Sequence, residues 1–157
     1  MNLRHTASSL ARLGVLLSLL ATGAARADGH SDTDRIVELL RTYESYGNAR
    51  DADGMGSLYT ADAVLLPDRF DAYEGKEAIT AFYAFAFGAL SLDLVFEIDP
   101  EDIVVSGDTA YAVTTSAGTR SILETGQEVP EINREHWVFE QVDGDWMIAR
   151  YAFNKSE

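Results

Sequence analysis

The chain has 157 residues, no cysteine and a formal net charge of −14 at pH 7. The lack of cysteine excludes disulfides, thiol catalysis and thiolate metal sites. The acidic charge repels phosphate groups, so neither nucleic acid nor an anionic lipid surface is an expected partner.

Residues 1–27 have the features of a secretory signal peptide. Two arginines precede an apolar run at residues 13–20, and residues 25–27 read Ala-Arg-Ala, a small-x-small cleavage site. The apolar run is too short to span a bilayer. We therefore predict an exported protein, periplasmic or secreted, with residues 28–157 as a single domain that is free of the membrane after cleavage.

The first predicted helix runs from about residue 32 to residue 47, with Asp32 or Thr33 as its cap. Its apolar residues recur at three-to-four spacing and include Tyr43. This tyrosine either packs in the core as a helix aromatic or directs its hydroxyl into a pocket.

A second, short helix follows a turn and can be capped by Asp51 or Asp53. The same aspartates begin a segment that looks like a calcium loop. Met55 occupies a ligand position, and Asp62 is shorter than the glutamate needed at the end of such a loop. We therefore interpret the aspartates as helix caps and expect neither a metal nor a cofactor.

The middle of the chain is rich in aromatic residues. A short strand at residues 63–66 leads into a loop at residues 68–74 and then a third helix at residues 76–89. The helix carries more aromatic side chains than one core-facing stripe can bury, so some should line a cavity. The aromatic residues of this region that we expect in a ligand pocket are Phe70, Tyr73 and Phe82.

From residue 92 onward the apolar residues alternate, which is typical of strands. Strands are predicted at residues 92–98, 103–105 and 109–116, and residues 124–131 are predicted to be an exposed acidic loop. Helices followed by consecutive antiparallel strands indicate an α+β fold, with three N-terminal helices on the concave face of a curved, mostly antiparallel sheet. A cavity can remain between the two layers.

The last predicted feature is a hairpin at residues 133–154, and its register decides the environment of Glu135. A two-residue turn at Asp143-Gly144 puts Glu135 on the same face as Arg150 and predicts a salt bridge. A three-residue loop instead puts Glu135 among apolar aromatic side chains. The aromatic residues of this hairpin that we expect in the pocket are Trp137, Phe139, Tyr151 and Phe153.

Four stretches together resemble the SnoaL-like members of the nuclear transport factor 2 superfamily, which are related to ketosteroid isomerase and polyketide cyclases. They are Tyr43 with Asp51, residues 58–64, residues 73–79 and the closing hairpin. The resemblance extends over residues 32–154. It implies a cystatin-like α+β cone, a pocket for a small apolar or carbonyl-bearing molecule, and a homodimer formed through the sheets.

The resemblance also implies roles for three residues. Tyr43 and Glu135 match the oxyanion-binding positions of ketosteroid isomerase, whereas Pro67 stands where its base would be and Asp68 follows. A neutral Glu135 and Tyr43 would then donate hydrogen bonds to an enolate, and an ionised Asp68 would move the proton. The implied activity is that of an isomerase, cyclase or dehydratase. The alternative is a non-catalytic ligand-binding or homodimeric association module.

Overall fold

The computed structural model describes residues 31–156, and the predicted signal peptide lies outside the described residues. Within the described part, no helix combines the length and apolarity needed to cross a membrane. The helices and strands are α1 (Asp32–Ala49), α2 (Ala52–Ser57), β1 (Tyr59–Leu66), β2 (Tyr73–Glu74), α3 (Lys76–Ala89), β3 (Leu90–Glu97), a 3₁₀ turn (Pro100–Asp102), β4 (Ile103–Ser106), β5 (Thr109–Ile122), β6 (Gln127–Val142) and β7 (Asp145–Lys155).

The fold is α+β, as predicted, with three helices packed against a curved, open sheet. The strand order is β2-β1-β7-β6-β5-β3, and β4 also pairs with β5. Only β1 and β7 pair in parallel; the other pairs are antiparallel. The sheet backbone comes very close at Gly118, where an added Cβ would lie 1.9 Å from the carbonyl oxygen of Asp93. A larger residue there would push β3 away from β5.

Short polar side chains determine where the helices begin. The hydroxyl of Ser31 accepts a hydrogen bond from the Asp34 N–H at 3.1 Å and completes a capping box. The predicted caps Asp32 and Thr33 are therefore wrong by one or two residues; the Asp32 carboxylate instead accepts a bond from Trp146 Nε1 at 3.0 Å. Asp51 caps α2 as predicted, since its side chain accepts from the Gly54 N–H.

The predicted exposed loop at residues 124–131 is wrong from residue 127 onward. Strand β6 begins at Gln127, and its first residues pair with the end of β5. Within this stretch Glu131 is buried. Acidic, glycine- and proline-containing sequence favours a loop when it is read alone, but a long partner strand supplies backbone hydrogen bonds that local propensity cannot anticipate.

The register of the closing hairpin is set by a turn and a bulge together. Asp143 (φ 53°) and Gly144 (φ 90°) form the predicted two-residue turn. Strand β7 then carries one extra residue, Ala149, because Phe139 pairs with Ile148 whereas its neighbour Val138 pairs with Arg150. Beyond the bulge, Tyr151 and Phe153 face inward with the inner residues of β6. Without the bulge, the same turn would place Arg150 on that face.

The salt bridge predicted from a two-residue turn is therefore wrong. Glu135 pairs in register with Phe153 and lies on the inner face with Tyr151. Arg150 is exposed, and its guanidinium donates to the backbone carbonyls of Ala149 and Asp62. The environment expected from a three-residue loop is thus reached by a two-residue turn and a one-residue bulge.

Candidate functional site

A cavity of about 670 Å³ lies between the helices and the inner face of the sheet. Its wall is largely apolar and comes from α1, α3 and the inward residues of β3, β6 and β7. Of the predicted site residues, the structure brings seven to this wall: Tyr43, Asp68, Phe70, Phe82, Glu135, Tyr151 and Phe153.

Three predicted pocket residues lie outside the lining. Trp137 is covered on one side by Tyr151, with ring centroids 3.7 Å apart, and meets the Tyr43 ring edge-on. Phe139 is fully buried in the core behind it. Tyr73 packs behind Phe82, with ring centroids 4.6 Å apart. Alternation assigns these side chains to the correct face but not to a depth within it, because the first layer of aromatics hides the second.

Glu135 is the central ionisable group of the cavity. It has no exposed surface, and its two carboxyl oxygens accept hydrogen bonds from separate hydroxyls of β5. Thr114 Oγ1 donates to Oε2 at 2.5 Å, and Ser116 Oγ donates to Oε1 at 2.6 Å. Both donors lie on the inner face of the neighbouring strand, where Thr114 is the register partner of Glu135.

The direction of these hydrogen bonds follows from the available protons. Trp137 Nε1 can only donate, and it lies 2.9 Å from Thr114 Oγ1. The single proton of Thr114 is therefore left for Glu135. In the same way the amide nitrogen of Asn133 lies 3.2 Å from Ser116 Oγ, which leaves the serine proton for Glu135. The two hydroxyls thus present donors to the carboxylate, a pattern that suits its ionised form.

Burial and hydrogen bonding act on Glu135 in opposite directions. Burial in the apolar wall raises the pKa of Glu135, and the hydrogen bonds from Ser116 and Thr114 lower it by a smaller amount. Burial also raises the pKa of Tyr151 well above its ordinary value, with a further contribution from the nearby Glu135 charge. The carboxyl group is therefore held closer to neutrality than an exposed glutamate would be.

Three buried tyrosine hydroxyls form a hydrogen-bonded chain. Tyr83 Oη lies 2.7 Å from Tyr43 Oη and 2.8 Å from Tyr59 Oη, and all three side chains are buried. Burial raises the pKa of Tyr83 to about 12 despite its two hydroxyl partners. All three tyrosines thus stay neutral at physiological pH. A phenol that accepts a hydrogen bond becomes a stronger donor of its own proton. Such a chain therefore strengthens the hydrogen bond that its last hydroxyl can donate.

Asp68 lies on the loop after β1, at the part of the wall that Arg69 and Phe70 also form. Its carboxylate contacts Arg69 Nε at 3.3 Å, and its side chain is mostly buried. Arg69 has φ 64°, a left-handed conformation that turns the loop at this point. A guanidinium therefore lies against the carboxylate that the resemblance implies as the base.

Several residues that build the site were missed in the sequence. Thr114 and Ser116 belong to the strand face opposite Thr115, but an isolated hydroxyl on a strand carries no motif. Tyr83 was one of four aromatics of the third helix, and only its contact with Tyr43 and Tyr59 distinguishes it. Alternation along β5 and β6 could have found the two hydroxyls once the pairing of these strands was known.

A second polar group lies in the same wall, toward the ends of β5 and β7. Glu131 is buried and contacts Lys155 Nζ at 3.0 Å and Arg120 Nε at 3.3 Å. Asn133 lies between this group and Glu135 along β6. Among residues 31–156, no cluster of histidine, cysteine, aspartate or glutamate side chains has the arrangement of a metal site.

The fold and the cavity place this chain in a known class. The model of the SnoaL-like domain family matches residues 39–151, and the chain belongs to that family. No curated protein matches the chain in sequence.

Solved structures agree with this assignment. The chain is similar to a ketosteroid isomerase-like protein from Erwinia carotovora atroseptica SCRI1043, with a TM-score of 0.76, 25% identity, and coverage of 82% of this chain and 98% of that one. A nuclear transport factor 2-like superfamily protein from Salmonella enterica serovar Typhimurium LT2 has a TM-score of 0.70 at 20% identity, covering 80% and 91%. A protein with a cystatin-like fold from Novosphingobium aromaticivorans has a TM-score of 0.62 at 22% identity, covering 78% and 80%. The last two show the fold alone.

Proposed function

We propose that the cavity binds a small apolar molecule with a carbonyl group and that the protein catalyses proton transfer on it. The observation that carries this proposal is a fully buried carboxyl group at the cavity wall that has two hydroxyl donors and, within residues 31–156, no cationic partner. An ion-paired glutamate would be fixed in its charged form, whereas this one can take up a proton without breaking a salt bridge.

In this mechanism Glu135 is the base. It removes a proton from the carbon next to the carbonyl, the electrons of that C–H bond form a C=C bond, and the carbonyl oxygen becomes an enolate. Returning the proton to a different carbon gives an isomerase, and loss of a neighbouring hydroxyl as water gives a dehydratase. The hydrogen-bond pattern favours this role over that of a neutral donor, because Thr114 and Ser116 both direct protons at Glu135.

Tyr43 is the group that stabilises the enolate. Its hydroxyl lies 2.7 Å from that of Tyr83 and also interacts with the hydroxyl of Tyr151, whose ring centroid lies 5.4 Å from that of Tyr43. Tyr151 in turn lies close enough to Glu135 for the carboxylate charge to raise the tyrosine pKa. A neutral phenol in a dry wall is a strong donor to an oxyanion. The resemblance implied that Asp68 is the base and Glu135 a neutral donor; the proposed mechanism assigns the base to Glu135 instead, because the Asp68 carboxylate already contacts Arg69.

The test uses β-tetralone, an apolar ketone with acidic protons beside its carbonyl. In D₂O the protein should speed the exchange of those protons, followed by NMR. Glu135→Gln should abolish the acceleration, and Tyr43→Phe should reduce it by about a hundredfold to a thousandfold, the effect expected for one oxyanion donor.

The matched control is Glu140→Gln, an exposed glutamate on the opposite face of the same strand. Its rate should equal that of the wild type, and circular dichroism should confirm that each variant is folded. Equal exchange rates for wild type and Glu135→Gln would overturn the proposal.

We also propose that the protein is a homodimer formed through the outer face of its sheet. Support comes from exposed apolar side chains on adjacent strands of that face: Val95, Tyr111, Val113 and Ile132. A patch of this kind is typical of an interface. If the protein forms the dimer but does not speed the exchange of the β-tetralone protons, it is better described as an association module.

Export is the third proposal, supported by the composition of residues 1–27. The expected site of action is the periplasm or the medium. N-terminal sequencing of the protein from its native host should begin at Asp28, and an intact N terminus would contradict export by this route.

A further inference from the structure

We propose that the natural ligand is an elongated amphipathic acid. Its carbonyl-bearing apolar part lies beside Glu135, and its carboxylate lies at the other end of the cavity, against Arg120 and Lys155. This inference rests on the proposed function, because it names the substrate class of the same cavity.

The end of the cavity formed by Arg120, Glu131 and Lys155 has an excess of positive charge. Lys155 Nζ lies 3.0 Å from one oxygen of Glu131, and Arg120 Nε lies 3.3 Å from the other. Two cations therefore share one carboxylate. The formal net charge of the chain is −14, so this end of the cavity attracts an anion that the acidic surface as a whole repels.

Arg120 has unused donors. Its Nε is buried and has no hydrogen-bond partner within residues 31–156, because the contact with Glu131 is an ion-pair contact without hydrogen-bond geometry. A guanidinium presents five N–H groups in a planar fork that matches a carboxylate. Arg120 is thus placed to bind a second carboxylate in addition to Glu131.

Asn133 presents a second unpaired polar atom in the cavity wall. The residue is only 5% exposed and lines the cavity. Its amide nitrogen donates to Ser116 Oγ at 3.2 Å, but within the described chain its Oδ1 has no hydrogen-bond partner. Buried acceptors are normally paired. A hydroxyl or N–H group in the middle of the ligand would donate a hydrogen bond to Asn133 Oδ1.

The spacing along β6 sets the length of the ligand. Glu131, Asn133 and Glu135 alternate on the inner face, and each step of two residues is about 6.7 Å, so the two glutamates are about 13 Å apart. On the neighbouring strand β3, Leu92 pairs with Arg120 of β5 and Leu94 pairs with Gly118. Both leucines also line the cavity. Apart from Asn133, the wall between the two ends is therefore apolar, as an aliphatic or alicyclic chain requires.

The probes are cis-parinaric acid, a fluorescent fatty acid, and its methyl ester, which differ in charge at one end. Fluorescence titration of the full chain should give an affinity for the acid about tenfold higher than for the ester, as expected for one charge-assisted contact. Arg120→Gln should remove this preference, so that the acid and the ester bind with equal affinity. Arg134→Gln, on the exposed face of β6, is the matched control and should bind as the wild type does.

Glu131→Gln separates a ligand site from a structural ion pair. If the cluster binds the ligand, removing the competing carboxylate should strengthen binding of the acid and not of the ester. If the cluster only stabilises the fold, the variant should lose stability with no selective effect, and that result would overturn the inference.

Equal affinity of the wild type for acid and ester, or no binding of either probe, would also overturn it. The proposed function is judged separately by the exchange of β-tetralone protons. Loss of the acid preference with Glu135-dependent exchange intact would refute the amphipathic acid and retain the proton-transfer site.

Discussion

At the scale of single residues, Glu135 combines two demands that conflict. A base must be desolvated enough for its pKa to approach the working pH, yet a buried carboxylate without partners is very costly. The hydroxyls of Thr114 and Ser116 reduce this cost without supplying a counter-charge. They lower the pKa by less than burial raises it, so Glu135 remains able to gain and lose a proton.

The raised pKa of Glu135 predicts a specific dependence of stability on pH. The folded state holds the proton more tightly than the unfolded chain, whose glutamate pKa is about 4.3. The associated stabilisation is therefore complete below that pH and is lost as the pH rises through the higher folded-state pKa. Relative to Glu135→Gln, the wild type should become less stable across this interval, as measured by urea unfolding at a series of pH values.

The exposed Glu140→Gln provides the comparison. It makes the same chemical change at an exposed side chain of the same strand, outside the cavity. A constant difference between wild type and Glu135→Gln over the whole series would mean that the pKa of Glu135 is not raised in the fold.

Sequence alone reached some of these residues and not others. Tyr43 and Glu135 were found because helix periodicity and the resemblance point to them, and both line the cavity. Thr114 and Ser116 were not, because a hydroxyl becomes significant only when strand pairing places it opposite a carboxylate. The role of Glu135 depends on the direction of two hydrogen bonds, which no sequence pattern encodes.

At the scale of elements, the closing hairpin shows how two local features combine. Its turn was correctly predicted from Asp143-Gly144, but the bulge at Ala149 has no signal in composition. Sequence patterns predict where a strand alternates, and a bulge changes the phase of that alternation partway along. The length of β6 was missed for a related reason, since its first residues are ordered by pairing with β5.

The turn gives a matched test of backbone strain. Gly144 has φ 90°, whereas Gly88 lies in α3, and an added Cβ would meet no atom within 4 Å at either position. Only the backbone conformation differs. Gly144→Ala should therefore destabilise the protein by about 1–2 kcal/mol. By contrast, Gly88→Ala should stabilise it by about 0.5–1 kcal/mol.

Thermal and urea unfolding of the two variants would measure both changes. Destabilisation of similar size in both would indicate that lost flexibility or solvation, and not the left-handed conformation, governs the response. A neutral effect at Gly144 would mean that the turn relaxes to another type.

At the scale of the whole molecule, the architecture was the most predictable feature. Three-to-four and two-residue periodicities separate helices from strands, and their order restricts the layers to helices on one face of a sheet. The cavity follows from that arrangement, since a curved sheet and straight helices cannot fill the space between them. The chemistry of the cavity wall depends on individual side chains and was therefore harder to predict.

The homodimer is tested at this scale. Tyr111 is 55% exposed on the outer face of β5. Tyr111→Glu would place a charge in the proposed interface and should convert the dimer to a monomer in sedimentation equilibrium. Ala84→Glu, on the exposed side of α3, adds the same charge elsewhere and should leave the dimer intact. A wild-type protein that sediments as a monomer would exclude the interface.

The extra residue in β7 has a consequence for how such domains diversify. Loss of one codon at Ala149 would straighten β7 and still leave Tyr151 opposite Trp137 and Phe153 opposite Glu135, because the residues on either side of the bulge already pair with consecutive residues of β6. The end of this hairpin can therefore change length in evolution while a bound molecule continues to meet the same side chains of β7.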